Sequence, residues 1–241
     1  MIDFLLLLSN DRLIMLIAVL FFVFSRDDGR RNYAPLVFLL LFAMVYKTVL
    51  KDVFRLPAPI ASPTKNFGFP SGHMNFATMF YLWFVVNAKG YISRTLLVLS
   101  LIFAGVGLYL SGYHDAFSIL VTPIFPITCL FLYRRFLLDR NMEFQSLFFL
   151  TISTCTIFIT SLVSGAPKID LVIGAYGTLG FYVGNTITTE KYTRLLLAFA
   201  CLLLFFITSQ SQSTFLGNCC WTTVFAIPPI LKALLHQLRR A

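Results

Sequence analysis

The sequence predicts an all-α protein, a polytopic membrane bundle of about nine transmembrane helices. Three observations carry that expectation. Hydrophobic residues make up 58% of the 241 and charged residues 12%, with a mean hydropathy of +0.83, which is more apolar surface than a soluble domain hides. The apolar runs approach the roughly 20 residues a helix needs to cross a bilayer. They are continuous instead of alternating, so helices, not a closed barrel, satisfy the backbone in lipid.

In chain order the expected spans are 13–25, 33–54, 72–89, 93–112, 116–136, 144–164, 170–188, 192–209 and 219–235. The first is short because Asn10, Asp11 and Arg12 separate it from the apolar stretch 2–8. That stretch reads as a separate interfacial helix. A cleaved signal peptide is the weaker alternative, since a basic leader and a small-residue cleavage site are both missing. Asp115 stands where an N-cap of the span 116–136 is expected.

The net charge of +9 is not a nucleic-acid signal, because of where it lies. With loops numbered alternately, one side carries Arg26, Arg30, Arg31, Lys89, Arg94, Arg134, Arg135, Arg140, Lys191, Arg194, Lys232, Arg239 and Arg240, 13 of the 19 basic residues. The other side holds Arg12, Lys47, Lys51, Arg55, Lys65 and Lys168. The positive-inside rule makes the first side cytoplasmic, with the N-terminus out and the C-terminus in. Phospholipid is then the expected surroundings, and nucleic acid is not an expected partner.

Segment 55–71 contains Pro57, Pro59, Pro63, Gly68 and Pro70. So many helix breakers predict a fixed irregular loop folded over the neighbouring span ends, and long loops in compact bundles tend to be functional. Gly174, Gly177, Gly180 and Gly184 recur at intervals of three and four. They predict close helix packing more readily than a substrate groove. The five cysteines, Cys129, Cys155, Cys201, Cys219 and Cys220, show no metal-ligand spacing.

Chemistry concentrates in the histidines. Of three in the chain, His73 closes Pro70-Ser71-Gly72-His73 and His114 closes Ser111-Gly112-Tyr113-His114. Both fall at span ends on the outer side, with Lys51 and Arg55. Imidazole there can act as nucleophile or proton donor near neutral pH. The bland readings are a helix-start histidine, an interfacial histidine and a lysine that snorkels to the headgroups.

Lys51, Pro59, the intact Pro70-Ser71-Gly72-His73 and then His114 stand in the order and spacing of the motifs of the type 2 phosphatidic acid phosphatase superfamily, which the chain resembles over roughly residues 13–136. The family motifs are Lys-x6-Arg-Pro, Pro-Ser-Gly-His and Ser-Arg-x5-His-x3-Asp. This sequence departs from them at Ala58 for arginine, Gly107 and Leu108 for Ser-Arg, and Ser118 for aspartate. The stretch 180–194 with two following spans looks like the added C-terminal helices of bacterial members.

The resemblance implies a six-helix core of that family's type, a catalytic region over 1–140, and C-terminal helices over 141–241 that complete the bundle. It implies His114 as nucleophile and His73 as proton donor, with Lys51, Ser71 and Gly72 on phosphate oxygens. Arg55 is the expected substitute for a missing arginine, with Lys65 as another candidate and Lys47, one helical turn from Lys51, able to reach the same site; Asp115 is a possible orienting residue for His114. No cofactor or metal is implied. The expected substrate is a membrane lipid phosphate, handled at the outer face of a bacterial cytoplasmic membrane. Two alternatives stay open: a catalytically silent relative that binds or moves lipid headgroups, and a lipid phosphotransferase. The substrate lipid and the oligomeric state are not set by the sequence.

Overall fold

A computed structural model describes residues 2–24, 33–59, 67–164 and 168–187, with Thr222, Ala226, Ile227 and Pro229. Among these the named elements are helical: α1 Ile2–Leu7, α2 Asp11–Phe24, α3 Ala34–Phe54, α4 Gly72–Asn87, α5 Tyr91–Leu110, α6 Ala116–Val121, α7 Ile124–Leu132 (continued by a π-helical turn, Tyr133–Leu137), α8 Met142–Ser164 and α9 Ile169–Ile187. The expected span 192–209 and most of 219–235 lie outside the described residues. Among the described residues three stretches are long and apolar enough to cross a membrane: Tyr91–Leu110, Ala116–Leu137 and Met142–Val163. Their apolar side chains, such as Leu96, Ile102, Leu120, Phe131, Ile159 and Leu162, are exposed. In water that would be an aggregation surface; against lipid tails it costs nothing.

The chain forms two compact units. One comprises Met1–Ala18 with Lys47–Asp139, the other Val19–Tyr46 with Arg140–Ala241. Residues 19–46 thus group with the C-terminal part, across the division near residue 140 that the resemblance implies.

The first unit is organised around α4, whose residues from Met74 to Tyr81 are all buried. It packs on α5 and α7, and α1 packs on α5. The expected N-terminal helix is therefore a packed element of this unit. Its Leu5 leaves no room for a side chain at Gly107, where a Cβ would come within 2.6 Å of the Leu5 Cβ. Next to Gly107, Leu108 is fully buried in a cluster with Met74 and Ile119, flanked by Leu6. The two positions where the resemblance expects Ser-Arg are thus occupied by packing of α1 and α4 on α5. Leu108→Arg would bury a guanidinium among these side chains, at a cost of roughly 3–5 kcal/mol. It is expected to lower the thermal midpoint and not to raise any activity.

One expected span is broken. Pro123 interrupts the run 116–137 between α6 and α7, since proline has no N–H to continue a helix. Thr122 stands just before this break, and its hydroxyl faces the start of α4. Its Oγ1 accepts a hydrogen bond from the Ser71 N–H at 2.9 Å, tying the joint to the turn that starts α4.

The second unit is built on the first half of α3, α8 and α9. Leu36 to Leu41 of α3 are fully buried. Phe38 packs edge-on to Phe181 of α9 and stacks on Phe149 of α8. The glycines of α9 permit close approach: a Cβ at Gly174 would lie 2.7 Å from the Leu41 carbonyl oxygen. Gly180 and Gly184 approach the backbones of Thr222 and Ala226 in the same way.

Candidate functional site

The site assembles within the first unit, where the end of α3, the start of α4 and the α5–α6 turn come together. Each is fixed locally. Ser71 is the N-cap of α4, its Oγ accepting from the Met74 N–H at 3.2 Å, which satisfies one of the orphan donors of a helix start. The N–H groups of Gly72 and His73 carry no hydrogen-bond partner among the described residues. Beyond α5, Gly112 takes φ 71°, a left-handed conformation glycine adopts without steric cost, and so turns Tyr113 and His114 inward. Phe69, just before the Pro-Ser-Gly turn, is clamped in an aromatic cluster by Phe54, Phe117 and Phe125. The loop's two limbs are joined by the Gly68 N–H donating to the Leu56 carbonyl at 2.8 Å and by a bridge between Pro57 and Phe67.

His114 is 9% exposed. Its Nδ1 is buried with no hydrogen-bond partner among the described residues. Burial, then the nearby His73 and Lys51, push its pKa down to about 4 from 6.5, against the opposing pull of Asp115 and of a hydrogen bond to the Gly68 backbone. At neutral pH the ring is therefore the uncharged, nucleophilic form. An unsatisfied buried polar atom costs about 1–3 kcal/mol and calls for a reason.

His73 sits in the first turn of α4, half-buried, edge-on to Tyr113 at 6.2 Å between ring centroids. The charges that act on it are those of Asp11, Lys47 and Lys51, and the Ser9 backbone also contacts it. The joint between α1 and α2 is thus part of the site's surroundings. It is held down by the Tyr81 hydroxyl of α4, which donates to the Leu8 carbonyl at 3.1 Å.

The structure therefore brings His73, His114, Lys51, Ser71 and Gly72 together. It does not bring Arg55. That residue ends α3 at φ 49°, is exposed, and its Nε donates to the Asp52 carbonyl of its own last turn at 3.0 Å. Its guanidinium serves the helix C-terminus, as cations there commonly do. Arg55→Ala should leave turnover unchanged and stability within about 0.5 kcal/mol; a large loss of rate would return Arg55 to the site. Asp115 lies beside His114 but is otherwise occupied. Its Oδ1 accepts from the Ser118 N–H at 2.8 Å as the N-cap of α6, and bonds from the Ser118 side chain and backbone hold its carboxyl below the usual range. It does not bond to the His114 Nδ1. Lys65 lies outside the described residues.

Thr122 and Asp11 are parts of the site or its support that stood outside the expected set, while Lys47 was expected only as a further cation able to reach it. Lys47 alone had a sequence signal, being one helical turn from Lys51. Comparison with protein-family models, curated proteins and solved structures found no match.

Proposed function

We propose that this protein is an integral membrane lipid phosphate phosphatase, hydrolysing a phosphomonoester or pyrophosphate of a membrane lipid through a phospho-histidine on His114. The observation that carries this reading is the meeting of two histidines and Lys51 at the start of α4, where Gly72 and His73 offer uncommitted N–H groups. A helix N-terminus and ammonium groups favour a phosphate dianion. The neutral His114 imidazole attacks phosphorus while the bond to the leaving oxygen breaks, and His73, which takes up a proton as the phosphate dianion binds beside it, gives that proton to the leaving oxygen. Water, deprotonated by His73, then attacks the phospho-histidine and releases phosphate. Lys51 and the α4 N–H groups hold the equatorial oxygens as charge redistributes.

The sequence resemblance to the type 2 phosphatidic acid phosphatases supports the same chemistry. In this reading the chain crosses the membrane nine times, with that family's six-helix core. The site faces the outer side of a cytoplasmic membrane, opposite the basic loops, and takes its lipid from the outer leaflet.

One set of observations favours a second reading, a silent binder of lipid headgroups. Arg55 is turned away, Asp115 is committed to α6, and the His114 Nδ1 has no orienting partner among the described residues. Phosphate release from a panel of lipid phosphates in mixed micelles separates the two. The phosphatase reading requires release that His114→Ala abolishes. Undiminished lipid binding with no release from any substrate would establish the binder.

A further inference from the structure

Lys47 is 5% exposed, four residues before Lys51 on α3. A buried ammonium is costly unless something compensates it. Part of the compensation is the face of Phe76, whose ring centroid lies 5.4 Å from the Lys47 Nζ. The same Nζ lies 3.3 Å from the place a Cβ would take at Gly72. The absence of a side chain at Gly72 therefore lets the ammonium lie alongside the first turn of α4.

Three positive features now converge: Lys47, Lys51 and the N-terminal end of the α4 dipole. An anion seated there would be attracted by all three. We infer that Lys47 is the second phosphate-binding cation of the site, reaching the transferring group from the buried side while Lys51 holds it at the rim. This assignment rests on the reading of the site as a phosphate site. It places in α3 the charge for which the exposed Arg55 is the sequence's first candidate.

Competitive labelling of lysine amines in the full chain, in detergent micelles with and without inorganic phosphate, tests it by mass spectrometry of each lysine. Phosphate should protect both Lys47 and Lys51, and leave Lys168, at the exposed start of α9, as reactive as before. Protection of Lys51 with none at Lys47 would overturn the assignment and leave the phosphate site standing. Protection of neither would remove the phosphate site itself. As a second measure, Lys47→Met should weaken inorganic phosphate binding by about tenfold or more, and Lys47→Arg should recover part of it. Binding within twofold of wild type in a folded Lys47→Met protein would also overturn the assignment.

Discussion

Replacing His114 by alanine is expected to lower phosphate release by about 10⁴-fold or more, the usual consequence of removing a covalent nucleophile, while the protein keeps its fold. Both halves follow from the surroundings of the ring. The side chain is buried beside His73 and Lys51, and alanine offers no atom to attack phosphorus. Its Nδ1 already lacks a hydrogen-bond partner among the described residues. The alanine variant therefore loses packing but also loses a buried unsatisfied atom, and these opposing effects leave the thermal midpoint close to wild type.

The pH dependence has a definite sign. With its pKa near 4, His114 stays uncharged through the range where a free histidine gains its proton. The acid limb of kcat/KM contributed by the nucleophile should lie near pH 4 and not near 6.5. Stability moves in the same direction. The unfolded chain binds this proton below about 6.5 and the folded chain only below about 4, so the contribution of neutral His114 is full above pH 6.5 and is lost as pH falls through that window. Fluorescence-monitored unfolding between pH 4 and 7 checks it against His114→Ala, which should show a shallower loss.

The second large effect concerns folding. Gly174→Ala is expected to destabilise by about 2 kcal/mol, which for a chain of this size lowers the thermal midpoint by about 4–8 °C. Alanine gains about 1 kcal/mol of helix propensity over glycine. Here, however, its Cβ would lie 2.7 Å from the Leu41 carbonyl oxygen and 2.9 Å from side-chain atoms of Met44 and Val45. The nearest obstacle is backbone, which cannot rotate away. Overpacking of that kind costs roughly 1–3 kcal/mol and sometimes more, so the steric term wins. Gly174→Val should be worse still. A midpoint that rises in Gly174→Ala would mean that α3 and α9 are not in close contact at this point.

The helices were legible because their signals are local. The apolar runs marked α2 to α5, α8 and α9 to within two residues, the charged break at Asn10-Asp11-Arg12 set off α1, and Asp115 announced its cap. The interruption at Pro123 lay hidden inside a run that is apolar throughout. At the site, spacing along the chain named His73, His114, Lys51 and the Pro-Ser-Gly turn. Spacing could not say which way Arg55 turns, because that depends on a left-handed residue at a helix end. Nor could it tell Lys47 from a snorkelling lysine, since its burial depends on Phe76 and Gly72 from another helix. Gly107 and Leu108 stand in the sequence only as departures from a motif, whereas in the fold α1 packs against them.

A phospho-histidine can be trapped and located directly. The wild-type chain should be incubated with radiolabelled lipid phosphate, quenched in alkali and mapped by peptide mass spectrometry. A base-stable, acid-labile phosphate on His114, absent from His114→Ala and accumulating in His73→Ala when the leaving group needs no proton, is the expected result. Phosphate release with no label on His114, or label on another side chain, would contradict it.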